Sequence, residues 1–204
     1  MTLGKTHEYS KIGAQLYSIC TPQTMNKRHK DRRTQARQRY DKHRQRNVLA
    51  KPGVHPFVLV LDHLKGGFNV PKIFRSAQAF GASAVHLVNV PWFDPAPAKG
   101  AFKYVPARFH ETFEDCYQEL SADNYQFYTL EPSIGTPLQN TKLTVKSAFI
   151  LGNEELGISF DINDYPEINK LTIEQYGQVD SLNVSVAASI VMYEYCRQQH
   201  DKKV

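Results

Sequence analysis

The sequence predicts an α/β fold: a mostly parallel sheet flanked by helices, preceded by a basic N-terminal extension. Three observations point there. From Phe57 onward, short apolar runs alternate with amphipathic stretches, the pattern of strands separated by helices. The run Phe57-Val58-Leu59-Val60-Leu61 is apolar at every position, as a strand buried on both faces of a parallel sheet must be. Ahead of it, ten Lys and Arg crowd into the stretch from Lys27 to Arg46.

The basic stretch comes first in the chain. Lys27, Arg28, Lys30, Arg32, Arg33, Arg37, Arg39, Lys42, Arg44 and Arg46 stand against Asp31 and Asp41, so the segment carries +8 while the whole chain carries +5, which leaves −3 for the rest. A basic arm on a mildly acidic body neutralises phosphates and releases their counterions, so these ten residues are candidate nucleic-acid-binding groups. With few β-branched residues and no Gly or Pro, the segment is compatible with a helix. It is polar all round and lacks an apolar stripe to dock by, so mobility is expected in the free protein and ordering on RNA or DNA. Pro52-Gly53 and Pro56 then punctuate the chain, dividing it into residues 1–52, the extension, and residues 53–204, the body.

Within the body, the strand at Phe57–Leu61 leads to a helix with Pro71 in its first turn. Ile73, Phe74, Ala77 and Phe80 share one face of that helix and Gly81 ends it. Ala84 to Val90 reads as the next strand, Thr112 to Leu120 as a helix, Tyr125 to Leu130 as a strand, and Ser147 to Leu151 as another, ending in Gly152. A short strand near Lys170 to Ile173 precedes a long helix from Asn183 to Gln199. Ligands in such folds bind at the loops on the carboxyl edge of the sheet.

Composition removes several classes. With 41% hydrophobic and 22% charged residues the chain is globular rather than disordered. No apolar run approaches the ~18–20 residues of a membrane helix, and Met1 to Ser10 has no long apolar core of a secretory signal. Cys20, Cys116 and Cys196 are far apart, without CxxC spacing or adjacent histidines, so no metal site or disulfide framework is expected. A soluble, cytoplasmic protein is the reading. GxGxxG and Walker loops are both absent.

Three stretches place polar residues where strands end: Asn69-Val70-Pro71-Lys72-Ile73-Phe74-Arg75-Ser76-Ala77, Leu151-Gly152-Asn153-Glu154-Glu155-Leu156-Gly157-Ile158-Ser159, and Ser181-Leu182-Asn183-Val184-Ser185-Val186-Ala187-Ala188. Singly, each has an ordinary structural reading: Asn69 and Ser181 as helix N-caps, Gly152 and Gly157 as turn residues. Together, in this order and at these separations, they resemble the three motifs of the SpoU/TrmH group of SPOUT methyltransferases, over Phe57 to Gln199. One departure is Pro71, where the family commonly has Gly.

The resemblance implies a C-terminal deep trefoil knot, the SPOUT alpha/beta knot, whose second and third loops clasp S-adenosylmethionine. It implies methyl transfer to a ribose 2′-hydroxyl of tRNA or rRNA, by a homodimer. By match to the motifs, Gly152, Ile173 and Leu182 would contact the cofactor, with Leu151 and Asn153 flanking the pocket and Thr129 and Leu130 bordering the adenine. Arg75 matches the family's catalytic arginine. Arginine is a poor base, which leaves two roles for it: deprotonating the hydroxyl, or stabilising the developing alkoxide. Asn69 would orient Arg75 or the nucleotide, Glu154 would hold the loop or position Arg75, and Ser181 and Asn183 would bind the substrate ribose or phosphate. Val184, Val186, Ala187, Ile190, Val191 and Tyr195 on the last helix suit either a dimer seam or ordinary core. The alternative to an enzyme is a non-catalytic knotted RNA-binding protein.

Overall fold

The computed structural model describes residues 22–132 and 134–201, with side chains from Asp31 to His200. Cys20 lies outside the described residues, and so do the side chains of Lys27, Arg28 and Lys30. Among these residues seven strands make one sheet: β1 (His55–Asp62), β2 (Ala82–Val88), β3 (Ala107–His110), β4 (Gln126–Leu130), β5 (Thr136–Pro137), β6 (Ser147–Leu151) and β7 (Asn169–Thr172). Their spatial order is β3-β2-β1-β6-β4-β7-β5, and every pairing is parallel. Among the described residues four α-helices accompany them: α1 (Pro22–Asn47), α2 (Asn69–Ala79), α3 (Phe113–Ala122) and α4 (Val184–Asp201).

The period-2 alternation of β1 divides the core. Phe57, Leu59 and Leu61 face α2 and α4, packing with Phe74, Val191 and Tyr195, while Val58 and Val60 face α3 with Phe113, Cys116 and Ile150. β1 is central, paired to β2 on one side and β6 on the other, which is why its run is apolar throughout. Pro71 is the third residue of α2 and buried, where its missing N–H costs nothing. α3 begins with a reciprocal capping box between Thr112 and Asp115.

One sequence expectation is corrected here. The basic segment does have a face to dock by. Ala36, Tyr40 and Asn47 are buried and His43 is half-buried, a stripe at i, i+4, i+7 and i+11 on α1. Tyr40 packs against Phe93 at 5.3 Å and Phe102 at 5.7 Å between ring centroids. The Asn47 amide donates to the carbonyls of Phe102 (2.6 Å) and Val105 (2.7 Å) and accepts from the Ala107 N–H (2.9 Å). Arg39 forms a two-pronged pair with Asp94, at 3.1 and 2.8 Å. The described part of this segment is therefore packed on the body by an aromatic, an amide and an ion pair rather than by aliphatics.

Cys116 has histidine neighbours that its place in the sequence does not show. Folding brings His86, His110 and Cys116 within 4.8 Å of one another across β2, β3 and α3. The two imidazoles are nearly parallel, 7° apart, with His86 Nδ1 and His110 Nε2 sharing a hydrogen bond at 2.9 Å. Burial holds His86 neutral, its pKa pushed down to about 3, and raises the Cys116 thiol.

Because unfolding lets His86 take up a proton that the folded state refuses, stability should rise with pH between about 3 and 6.5. His86→Gln is expected to flatten that slope by several kcal/mol, read as urea midpoints across the window. Asn47→Ala leaves two carbonyls and an N–H without their partner and should cost about 3 kcal/mol in urea unfolding.

Candidate active site

The carboxyl ends of β4, β6 and β7, adjacent in the sheet, open onto a cavity of about 230 Å³. Leu130, Leu151 and Ile173 line it where those strands end, joined by Gly152, Asn153, Glu154, Ser181 and Leu182 from the second and third motif loops. Thr129 does not line the cavity. It is buried on the sheet face opposite Leu130, since neighbouring side chains in a strand alternate. Glu131, Pro132 and Gln175, which the sequence reading did not single out, also form the wall, as do Gly157 and Ile158 of the second motif stretch and Val184 and Ala187 of the third, to which it gave no cofactor contact. Most of these sit next to a motif residue, whereas Gln175 carried no signal.

The second loop is closed on itself. Asn153 and Gly157 exchange backbone hydrogen bonds at 2.7 and 2.8 Å. The Asn153 side chain accepts from the Glu155 and Leu156 N–H groups and donates to the carbonyl of His63, at 2.9 Å, in the loop after β1. A Cβ on Gly152 would stand 2.6 Å from the Gly157 carbonyl carbon, so glycine is demanded there by the loop's own return strand. Ser159 then anchors the loop to β1, its N–H and hydroxyl both donating to buried Asp62 at 2.6 and 2.8 Å. Burial raises the Asp62 carboxyl pKa even against these two donors.

The three motif loops meet through side chains. Asn183 caps α4, its Oδ1 accepting from the Ser185 N–H (3.0 Å) and hydroxyl (2.6 Å). Its amide nitrogen donates to Asn69 Oδ1 at 3.2 Å, and the Asn69 amide nitrogen donates to Glu154. Asn69 is not an N-cap: Phe68 holds that position, without a side-chain cap bond. Arg75 stands apart from this chain. It is exposed, makes no hydrogen bond or ion pair with a described residue, and lines a neighbouring open cleft with Lys72, Ser76, Lys99, Ser185, Ser189 and Tyr193. Neither Asn69 nor Glu154 orients it here.

On α4, Val184, Val191 and Tyr195 belong to the core, Ala187 and Ile190 are half-buried, and of the six positions named only Val186 is exposed, together with Tyr193. Of the candidate RNA-binding residues, Arg32, Arg33, Arg37, Lys42, Arg44 and Arg46 are exposed on α1, and Arg39 is engaged by Asp94.

Loops converging on a cavity at the carboxyl edge of an all-parallel sheet define a small-molecule-binding α/β domain. The sequence model described as the SpoU rRNA Methylase family matches residues 56–193, and the chain belongs to that family. A Staphylococcus aureus protein assigned to the TrmH family of tRNA/rRNA methyltransferases is 30% identical over 149 residues, 71% of this chain and 60% of that relative. The chain thus matches about three fifths of the length of such relatives. Among solved structures, an A. aeolicus TrmH/SpoU tRNA modifying enzyme superposes with a TM-score of 0.66 at 23% identity, covering 82% of this chain and 86% of that one. The SpoU methyltransferase AviRb of Streptomyces viridochromogenes, in complex with the cofactor AdoMet, gives 0.65 at 22%, covering 73% and 60%.

Gly152→Ala should push the loop open, and the Asn153 and Gly157 amides should then exchange with deuterium at least about tenfold faster, with a lowered Tm.

Proposed function

We propose that the protein is an S-adenosylmethionine-dependent RNA methyltransferase that transfers a methyl group to a ribose 2′-hydroxyl of tRNA or rRNA. The observation that carries this reading is the hydrogen-bonded chain Asn183–Asn69–Glu154, which ties three motif loops together at one cavity. The cavity suits the cofactor. Leu130, Leu151, Ile158, Ile173, Leu182, Val184 and Ala187 offer apolar cover for an adenine. Gln175 lines the same space with a buried Oε1 that lacks a hydrogen-bond partner, and an adenine amino group would satisfy it. S-adenosylmethionine, when bound, supplies an electrophilic methyl group.

The chain's own groups do the rest. Ser181 and Asn183 hold the ribose or its phosphate, Asn69 and Glu154 fix the loops that shape the site, and Arg75 stabilises the negative charge that develops as the hydroxyl loses its proton. Arg75 has no competing carboxylate among the described residues, so its charge is available to RNA. The second and third loops would form the family's knot. Exposed Val186 and Tyr193 beside the Arg75 cleft offer a seam for a homodimer. RNA is the partner, gripped through the basic residues of α1, in a cytoplasmic setting. Among the described residues no helix is long and apolar enough to cross a membrane.

Methyl transfer from labelled S-adenosylmethionine to fractionated cellular RNA tests the reading. Label is expected in a 2′-O-methyl nucleoside, and Arg75→Ala should lower the rate about 10²–10³-fold with cofactor affinity kept. Failure to bind S-adenosylmethionine would overturn the proposal. Cofactor and RNA binding without transfer to any fraction would favour the non-catalytic alternative.

A further inference from the structure

The single tryptophan of the chain, Trp92, lies in the segment after β2 and stands half-buried against α1. Two arginines of α1 sit over its indole: the guanidinium carbons of Arg33 and Arg37 are 5.9 and 5.5 Å from the ring centroid. Tyr40 braces the indole from below the helix, at 6.5 Å between centroids. Trp92 separates two open clefts. One is lined by Arg32, Arg33, Ala36, Gly66, Pro91 and Asp94, the other by Arg33, Thr34, Arg37 and Gln38.

The charge balance of this corner is one-sided. Asp94 is the acid of the first cleft, and it is already matched by the two-pronged pair with Arg39 and by the Ala96 N–H. The same pair holds its carboxyl below the usual range. Arg37 is partly engaged with Asp41 at 3.2 Å, an exposed pair of little strength. Arg32 and Arg33 are exposed and have no carboxylate within ion-pair distance among the described residues. An uncompensated cationic pair beside an indole is a binding device for a phosphate joined to a planar ring. Bases stack on aromatic side chains and on arginine guanidinium planes alike.

The corner also touches the candidate active site. Gly66 lies in the loop between β1 and α2, three residues before Asn69, and a Cβ there would stand 2.5 Å from the Trp92 carbonyl oxygen. Lys65 of this loop pairs with Glu155 of the second motif loop at 2.7 Å. The loop thus has the Trp92 cleft at Gly66 and the Asn69–Glu154 contact at its far end.

We propose that Trp92, with Arg32, Arg33 and Arg37, forms a subsite for an unpaired nucleotide of the RNA that flanks the target ribose. The base stacks on the indole–guanidinium layer and the adjoining phosphates lie on Arg32 and Arg33. The inference rests on the RNA methyltransferase reading for its choice of ligand. It assigns α1 a role in reading strandedness as well as supplying charge, because a base held in a duplex has no free face to offer.

Trp92 is its own reporter. The full chain is titrated with a single-stranded 12-nucleotide RNA of mixed sequence and with the same RNA annealed to its complement, following tryptophan emission and, separately, filter retention. The single strand is expected to quench Trp92 and to bind about tenfold or more tightly than the duplex. Arg32→Ala with Arg33→Ala, at exposed positions that leave folding intact, should weaken single-strand binding about tenfold. That double variant should also lower the slope of log affinity against log salt by about 1.4. Trp92→Phe, which keeps an aromatic against Tyr40, should bind several-fold more weakly. Retention of RNA with unchanged emission overturns the subsite, and so do equal affinities for strand and duplex or an unaltered double variant. Methyl transfer and S-adenosylmethionine binding are measured on the same samples. Their loss with quenching intact counts against the methyltransferase reading alone, whereas their presence without quenching counts against the subsite alone.

Discussion

The direction of one hydrogen-bond chain organises the candidate site, and a helix end sets that direction. The first N–H groups of α4 need an acceptor, and Asn183 Oδ1 supplies it to Ser185. The amide nitrogen of Asn183 must then point away and donate, which turns Asn69 Oδ1 toward it and leaves the Asn69 nitrogen for Glu154. A side-chain amide accepts through its oxygen on one side and donates through its nitrogen on the other. An aspartate at position 69 would present Glu154 with a like charge and no donor. The chain ties the first loop to two others more than eighty residues further along, since Asn69 lies 85 positions from Glu154 and 114 from Asn183.

Topology places those loops within reach. β1 leads to β2 on one side of the sheet while β6 lies on its other side, followed by β4 and then β7, so the strand order reverses between β1 and β6, and the crevice at the carboxyl ends of β6, β4 and β7 opens beside that point. The loop after β6 is roofed over that crevice by bonds at both ends. Asn153 reaches back to the carbonyl of His63, and Ser159 donates twice to Asp62, the last residue of β1. Asp62 carries no exposure and pays a desolvation penalty, visible as its raised pKa. Its two donors make that penalty tolerable and turn a buried acid into a fixed post for the loop.

How much of this was legible in the sequence follows from where each signal resides. β1 and β6 were readable because burial on both faces leaves an unbroken apolar run, and β6 has the bounds the sequence suggested, Ser147–Leu151. β3 was missed because it is an edge strand of four residues, two of them exposed, with no apolar pattern. Thr129 illustrates parity: the strand was placed within one residue, but membership of the cavity wall depends on which face a side chain takes. The docking stripe of α1 has helical spacing, yet it is written in Ala36, Tyr40, His43 and Asn47, and hydrophobicity alone does not register an amide that makes three hydrogen bonds. The cluster of His86, His110 and Cys116 is a product of strand register and of α3 packing, which local spacing cannot reveal. The three motif loops were visible as motifs, but the finding that Asn69 joins Glu154 and Asn183 rather than Arg75 needed coordinates.

Docking changes what the basic segment can do physically. A free arm would lose backbone and side-chain entropy on binding, on the order of 1–2 kcal/mol per ordered residue for the backbone alone. From Asp31 to Asn47 the helix is already formed and seated through Tyr40, Asn47 and the Arg39–Asp94 pair, so that cost is largely met by folding. The seat also consumes charge selectively. Arg39 is spent on the body and Arg44 lies over the Phe109 ring at 4.4 Å, while Arg32 and Arg33, the latter over the Trp92 ring, have no carboxylate partner among the described residues. Charge that is fixed in position can discriminate among shapes of RNA, because a phosphate must come to it, whereas charge on a flexible arm follows the phosphate wherever it goes. On the proposed reading, the same residues that hold α1 down would therefore determine which part of an RNA meets the loop that carries Asn69.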